Sequence, residues 1–111
     1  MKNLDHYERL VEQFPSVTRK GKTMPYTSLN GHMFSFLDKE GKVSIRFSDA
    51  ELEIFLEKYS TEGSIQHNSV MRGYAIIPQD MLEDTNKLVP YFQKSLDYIG
   101  SLKPKPTKKP K

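Results

Sequence analysis

Two turn signals lie within the stretch "LNGHMFSFLDKEGKVSIRFS", Leu29 to Ser48, and they constrain the fold more than any other part of the chain. Asn30-Gly31 is typical of a two-residue hairpin turn, because both central residues of that turn must accept a positive φ. The turn would join an extended segment, "TMPYTSL", to a strand from His32 to Leu37. Pro25 in the extended segment cannot donate to a ladder, which favours an edge position. An antiparallel meander is therefore expected here.

The second turn, "DKEGK", allows two registers between this strand and the next one, Val43 to Phe47. In a three-residue loop, Asp38 begins a type I turn and Gly41 takes the left-handed position of a bulge. The opposed pairs would then be Leu37 with Val43, Ser35 with Ile45 and Met33 with Phe47. A four-residue loop would exchange the two faces, because a slip of one residue turns every side chain over. We favour the three-residue loop, since it gives each turn residue a preferred role.

The register decides which side chains accompany the aromatic residues of this hairpin. In the favoured register one face, called here the hairpin face, holds four candidate site residues: His32, Phe34, Phe36 and Arg46. Large aromatic residues are usually buried, so both phenylalanines could be core residues of a central strand covered on both sides. Aromatic residues and arginine are also enriched in interface cores, so the same face could contact a protein partner or form a homodimer. No neighbouring residue in the sequence supports a catalytic role for His32.

Apolar residues at helical spacing predict one helix before this hairpin and one after it. The first covers "NLDHYERLVEQF", with Asn3 as its N-cap and Pro15 as its stop. The second follows Ser48, which has capping-box spacing to Glu51. Both helices would pack an apolar stripe against the sheet.

Two short strands and a final helix complete the predicted order. "SIQHN" and "GYAIIP" are β-like runs after Gly63. A helical turn over residues 79–84 would precede a helix from about Thr85 to Leu102. The inward residues of that helix would be Leu88, Phe92, Ser95, Leu96 and Ile99. The order α-β-β-β-α-β-β-α, with short connections between successive strands, predicts an α+β fold: an antiparallel β-sheet with flanking helices.

Positive charge is concentrated at the C-terminal end of the sequence. The formal net charge is +3, but the last nine residues, "KPKPTKKPK", hold five lysines and no acid, so Met1 to Leu102 carries a net −2. We therefore expect a single domain over residues 1–102 and a flexible tail over residues 103–111, which its prolines keep extended. The tail either solubilises the domain or binds nucleic acid weakly and without sequence preference. The lysines concerned are Lys103, Lys105, Lys108, Lys109 and Lys111.

No catalytic or metal-binding pattern is visible in the sequence. Cysteine is absent, which excludes disulfides, thiolate zinc sites and cysteine nucleophiles. His6, His32 and His67 lie in separate predicted elements without the spacing that brings two imidazoles to one metal, and we expect His6 to face solvent. The carboxylates within residues 80–84 open a helix, where the helix dipole accounts for them. We therefore predict that the protein is not an enzyme and uses no cofactor or metal.

The N-terminal residues bear on location. "MKNLDHYERL" has acids where a signal peptide needs an apolar run. No stretch approaches the roughly 20 apolar residues of a membrane span. We expect a soluble, cytoplasmic protein that does not enter a membrane.

The pattern from Lys22 to Ile99, about three quarters of the chain, resembles the N-terminal domain of the TfoX (Sxy) competence-regulator family. The residues that carry the resemblance are Met24, "NGHMFSFLDKEGKVSIRFS", "VMRGYAIIP" and "LVPYFQKSLDYI". The resemblance implies a small bacterial regulatory or protein-interaction module and supplies no catalytic residue. The chain has Met24-Pro25-Tyr26 where the family often has Met-Phe-Gly, and a tail where full-length competence regulators have a second domain. A role in competence is therefore not implied.

Overall fold

A computed structural model describes residues 2–59, 61, 63–66 and 69–103 of the chain. Helices and strands follow one another as α1 (Leu4–Glu12), β1 (Arg19–Lys20), β2 (Tyr26–Leu29), β3 (His32–Leu37), β4 (Val43–Arg46), α2 (Asp49–Lys58), β5 (Gly63–Gln66), β6 (Ser69–Ile76), α3 (Gln79–Leu82) and α4 (Thr85–Ser101). The predicted α+β class is confirmed. The predicted order is also right, apart from the additional two-residue strand β1.

The strands form one antiparallel sheet in the order β1-β2-β3-β4-β6-β5. Asn30 and Gly31 have φ values of 55° and 80°, as the two-residue turn between β2 and β3 requires. The prediction that β2 lies at an edge is wrong, because β1 pairs with its first two residues. Pro25 precedes β2 and contributes its carbonyl oxygen, which accepts a hydrogen bond from the Leu37 amide at 2.9 Å.

The three-residue loop between β3 and β4 is confirmed. Leu37 opposes Val43, and the next pairs are Phe36 with Ser44 and Ser35 with Ile45. Asp38 Oδ1 accepts hydrogen bonds from the amides of Glu40 and Lys42 at 2.9 and 3.0 Å. Gly41 has a φ of 85°, the left-handed conformation that glycine adopts without steric cost. The turn residues therefore set the register.

A bulge in β3 changes which side chains share a face. Thr27 of β2 opposes Ser35, but the next pair is Ser28 with Met33, which leaves Phe34 as the extra residue of β3. The expected pairing of Met33 with Phe47 is not part of the β3–β4 ladder. A bulge interrupts the alternation of side chains along a strand. Phe34 therefore need not share the face of Phe36, although the register at the turn is the one expected.

The core lies between the sheet and the helices. Phe34 packs against Phe92 of α4, with ring centroids 5.3 Å apart, and Phe14 packs against the same ring at 4.8 Å. The hydroxyl of Tyr7 in α1 hydrogen-bonds Ser35 Oγ at 2.7 Å. Thr27 Oγ1 lies 2.5 Å from the same serine oxygen. The bulge thus presents both Phe34 and Ser35 to helices.

The two predicted N-cap residues, Asn3 and Ser48, are the N-caps of α1 and α2. Ser48 Oγ accepts a hydrogen bond from the Glu51 amide at 3.3 Å, as expected for α2. Asn3 is the N-cap of α1, but its side chain donates to the Gly41 carbonyl at 2.7 Å and not to its own helix. Four of the five predicted inward residues of α4 are buried, and Leu96 is half-buried. In the described part of the chain, no helix has the length and apolar character needed to cross a bilayer.

Candidate anion-binding site at the end of helix α4

The four residues of the hairpin face do not form one surface. Phe34 and Phe36 are both 0 % exposed. Phe34 lies in the main core, whereas the ring of Phe36 packs against Tyr74, with centroids 5.3 Å apart. These positions fit the core interpretation of both phenylalanines, because a buried ring is not accessible to a partner. His32 and Arg46 are the members of the set that remain half-exposed.

Two of the three histidines, His6 and His32, lie within the described residues. His32 Nε2 is 3.0 Å from the carbonyl oxygen of Lys103, a hydrogen bond that needs the proton on Nε2. His6 was expected to face solvent but is half-buried, and its Nδ1 is buried without a hydrogen-bond partner among the described residues. His67 lies outside the described residues, as do the four tail lysines beyond Lys103. Within the described ranges, no three His, Asp or Glu side chains are grouped closely enough to hold a metal ion.

Arg46 is the last residue of β4, and its backbone is held by β6 on one side and by α4 on the other. It opposes Tyr74 of β6, and its carbonyl oxygen accepts a hydrogen bond from Ser95 Oγ of α4. The amide of the following residue, Phe47, donates to the Gly73 carbonyl at 2.8 Å. Hydrogen bonds to both the sheet and α4 therefore fix the backbone from which the Arg46 side chain projects.

Gly73 makes room for that side chain. Its φ is 86°, which favours glycine, and a Cβ at this position would lie 3.3 Å from Arg46 Cγ. The Arg46 guanidinium carbon lies 5.8 Å from the centroid of the Tyr98 ring on α4. This distance is within the range of a cation–π contact. Strand β6 and helix α4 thus position Arg46 together.

Arg46, Arg72 and Tyr98 line an open depression of about 280 Å³, together with Phe47, Asp49 and Gly73. We call Arg46, Arg72 and Tyr98 the arginine site. Neither arginine forms an ion pair with a carboxylate of the described residues. Asp49 lines the same depression, so the formal charge of its lining is +1. The arrangement can accept an anionic group, because a guanidinium binds carboxylate or phosphate oxygens in a bidentate manner.

A second depression contains an arginine that forms an ion pair with a carboxylate. It has a volume of about 380 Å³ and lies beside α1 and the segment that leads into β1. Arg19 lines it, and its Nε is 2.9 Å from Glu8 Oε2. The Arg19 guanidinium also donates to the Gly21 carbonyl at 2.9 Å. The Nε and Nη1 donors of Arg19 are therefore engaged within the chain.

A group of tyrosines and lysines lies further along α4. The hydroxyls of Tyr59 and Tyr91 are 2.7 Å apart, and Lys58 Nζ donates to the Tyr91 hydroxyl at 3.4 Å. With Tyr59 as the donor, these hydrogen bonds hold the pKa of Tyr91 below its ordinary value and raise the pKa of Tyr59. The Tyr91 ring also packs edge-on against Phe55, at 5.2 Å between centroids. The two tyrosines are therefore anchored to the core beneath them.

Lysine ammonium groups surround these rings. Lys58 and Lys87 lie 5.5 and 5.8 Å from the centroid of the Tyr59 ring, and Lys94 lies 5.7 Å from that of Tyr91. All three lysines are exposed. Lys94 Nζ forms an ion pair with Glu51 Oε2 at 3.4 Å. We call this group the tyrosine–lysine cluster: Lys58, Tyr59, Lys87, Tyr91 and Lys94.

Reasoning from the sequence found Arg46 but missed its partners. Arg72 and Tyr98 are distant in sequence from Arg46, and no local pattern connects them. A signal does exist along α4, where Lys87, Tyr91, Lys94 and Tyr98 recur at the spacing of one helix face. Charged and polar residues at this spacing are also typical of a solvated helix face, so the spacing alone does not indicate a site.

No protein-family model matches this chain, and no curated protein and no solved structure was found to be similar to it. The chemistry of the described side chains is therefore the basis for interpreting the site. Unpaired guanidinium groups favour the binding of an anion.

Proposed function

We propose that this chain is a non-enzymatic, cytoplasmic interaction module that binds an anionic group of its partner at the arginine site. One observation carries the proposal. Two arginines without a carboxylate partner among the described residues line the same depression, beside an aromatic ring. Arginine and tyrosine are the residue types that most often dominate binding energy at interfaces.

Fixed positions make the arginine site suited to binding. Arg46 projects from a backbone that Ser95 and Gly73 hold through hydrogen bonds. The Tyr98 ring restricts the space open to its guanidinium. Binding costs less when side chains are already ordered in the free protein. We therefore place the main contact at Arg46 and an assisting one at the exposed Arg72.

The burial of Phe34 and Phe36 changes the kind of partner that we propose. An aromatic contact surface was the reason to expect a hydrophobic protein interface on the hairpin face, and both rings are enclosed. Of the accessible members of that predicted set, Arg46 carries a positive charge. A charged contact is therefore better supported than an apolar one.

We further propose that the domain belongs to the TfoX N-terminal type. Support comes from the motif residues and from the α+β order in which they lie. "NGHMFSFLDKEGKVSIRFS" spans the β3–β4 hairpin and "VMRGYAIIP" spans β6. "LVPYFQKSLDYI" lies within α4.

Titration with inorganic phosphate tests the anion site. Backbone amide resonances would be recorded by NMR for the wild type, R46Q/R72Q and R19Q, with sodium chloride added at matched ionic strength as the reference. We expect saturable shifts at residues 46, 73 and 98 in the wild type and in R19Q. The same shifts should be lost in R46Q/R72Q. Equal shifts in all three proteins would overturn the proposal, as would an absence of shifts in the wild type.

A further inference from the structure

We infer that the anionic partner is a single-stranded nucleic acid, bound along one face of α4 that begins at the arginine site. This inference rests on the proposed function, because the arginine site is one end of the face. It adds the class of partner and the path that the partner follows. The residues of this surface, called here the α4 face, are Arg46, Lys58, Tyr59, Arg72, Lys87, Tyr91, Lys94 and Tyr98.

Helical spacing aligns cations and aromatic rings on α4. Lys87, Tyr91, Lys94 and Tyr98 occupy positions i, i+4, i+7 and i+11, which lie on one side of a helix. At 1.5 Å per residue, the stripe extends about 16 Å along the helix axis. Lysine and tyrosine alternate along its whole length. A regular alternation of this kind matches a ligand with repeating charges and repeating flat groups.

Neighbouring elements widen the stripe at both ends. At the beginning of α4, Lys58 of α2 and the C-cap residue Tyr59 contact Tyr91 through the hydroxyl hydrogen bonds. At the other end, Arg46 lies over Tyr98, and Arg72 lines the same depression. The arginine site and the tyrosine–lysine cluster therefore belong to one surface joined by α4.

The charge of the α4 face is opposite to that of the rest of the domain. Five cations lie on it; Asp49 lines the depression beside two of them, and Glu51 forms an ion pair with Lys94. Residues 1–102 together carry a net −2, so other surfaces hold the excess of acids. Local accumulation of positive charge on a weakly acidic domain attracts a polyanion to one face.

A nucleic acid fits this surface better than an acidic protein segment does. Proteins that bind single strands combine a cationic track for the phosphates with aromatic side chains for the bases. Tyr59, Tyr91 and Tyr98 are each partly exposed between lysines or arginines. A carboxylate-rich peptide would use the cations and leave the rings without a role. The exposed tyrosine rings therefore favour a single-stranded nucleic acid over an acidic peptide as the partner.

The tail begins where the α4 face ends. Helix α4 stops at Ser101, and Lys103 is five residues beyond Tyr98. Four of the five tail lysines lie outside the described residues, so the α4 face is defined without them. The tail would add affinity, whereas the α4 face would fix where the strand lies.

Fluorescence anisotropy with a 5′-fluorescein-labelled 15-nucleotide oligothymidylate tests the inference on the full chain. We would compare the wild type, R46Q/R72Q, K87Q/K94Q and Y91L/Y98L with K20Q/K39Q, which removes two exposed lysines outside the α4 face. Circular dichroism would establish that each variant is folded. The expected loss of affinity is roughly tenfold for each variant of the face and less than about twofold for K20Q/K39Q.

The salt dependence supplies an independent readout. If all five cations of the face contact phosphates, they contribute about −3.5 to the slope of log K against log salt for a single strand. Removing Lys87 and Lys94 should make the slope shallower by about 1.4, and the control pair should leave it unchanged. Equal affinities and slopes for the face variants and the control would overturn the inference. Loss of binding in K105Q/K108Q/K109Q/K111Q alone, with the face variants unaffected, would also overturn it.

Two further ligands, an acidic peptide and a duplex, test the class of partner separately from the anion binding that the proposed function requires. An octaglutamate peptide that binds more tightly than the oligonucleotide at the same salt would replace nucleic acid by an acidic protein partner and leave the arginine site intact. A duplex of the same length that binds more tightly would overturn the single-strand assignment. If phosphate shifts the arginine site but the oligonucleotide does not bind, the inference fails and the proposed function stands. If neither phosphate nor the oligonucleotide binds, the inference and the proposed function both fail.

Discussion

Arg19 and Arg46 lie on two strands of one sheet, β1 and β4, and line two separate depressions with different charged neighbours. Arg19 is 2.9 Å from a carboxylate oxygen of Glu8, whereas Arg46 has no ion pair with the described acids. Burial raises the pKa of a tyrosine near each arginine, Tyr7 near Arg19 and Tyr74 near Arg46, and the positive charge of the arginine opposes part of that rise. The comparison teaches that the two guanidinium groups differ in their partners: Arg19 binds Glu8 and the Gly21 carbonyl, whereas Arg46, the proposed anion contact, has no ion pair with the described acids.

Alkaline pH should lower the free energy of unfolding through tyrosines in both regions, and this is the largest expected effect. Burial raises the pKa of Tyr74 to about 12 and raises that of Tyr7 well above its ordinary value. A raised pKa means that the neutral form is favoured in the folded state, so the stability contributed is complete below pH 10 and is lost as the pH rises through the folded pKa. For Tyr74 the loss amounts to roughly 2–3 kcal/mol. Urea unfolding between pH 9 and pH 12 would measure it.

The ionisation of the same two tyrosines, Tyr7 and Tyr74, distinguishes Arg19 from Arg46. R46Q should raise the pKa of Tyr74 and leave that of Tyr7 unchanged, and R19Q should do the reverse, because each guanidinium favours the ionised form of its own neighbour. Phenol absorbance at 295 nm in single tyrosine-to-phenylalanine backgrounds would separate the signals. Identical curves for R46Q and the wild type would contradict the placement of Arg46 beside Tyr74.

Gly73→Ala should be the most damaging single substitution at the arginine site. A residue with a side chain at a φ of 86° costs about 1–2 kcal/mol, and the new Cβ would press on Arg46 Cγ from 3.3 Å. We expect lower stability in urea together with weaker anion binding. The matched control is Gly63→Ala, whose nearest contact would be the Tyr74 carbonyl oxygen at 3.6 Å. Equal effects of the two substitutions would mean that Gly73 has no special role.

Glu8→Gln should convert the paired arginine into an open one. The ion pair is partly exposed, with about a third of each side chain accessible, so its loss should cost less than about 1 kcal/mol. The informative result is a gain of phosphate binding at Arg19, which should then respond as we expect Arg46 to respond. Phosphate titration by NMR would measure that response. If Arg19 remained unresponsive in this variant, pairing with Glu8 would not explain the difference between the two regions.

Arg46→Gln should have the smallest effect on stability, within about 0.5 kcal/mol, because no ion pair with the described acids is lost. Its effect on anion binding should be large by comparison. Chemical unfolding and phosphate titration of the same sample would give both values. A loss of stability of several kcal/mol would indicate that Arg46 is a structural residue.

The local parts of this fold were predictable because the determining groups are neighbours in sequence. Asp38 and Gly41 set the register of the β3–β4 hairpin through hydrogen bonds and a positive φ within the turn itself. Ser48 likewise marks the start of α2 through the amide of Glu51. Short-range chemistry of this kind can be read from a single sequence.

The bulge at Phe34 and the arginine site could not be predicted in the same way. The bulge depends on how Phe34 packs against Phe92 of α4, a contact between residues far apart in sequence. The arginine site depends on β4, β6 and α4 meeting at one point. The stripe along α4 was visible, but its meaning required the positions of Tyr59 and Arg46 beside it. Tertiary contacts therefore decided which cations are open to a ligand.

The most direct test of the central claim is the arginine Nε–Hε spectrum of the wild-type protein during addition of inorganic phosphate. The guanidinium groups themselves are observed, so the result does not depend on a variant that alters the fold. We predict that the Arg46 and Arg72 signals shift and saturate together while the Arg19 signal stays in place. A shift of Arg19 as large as that of Arg46, or no shift of either signal of the arginine site, would contradict the account.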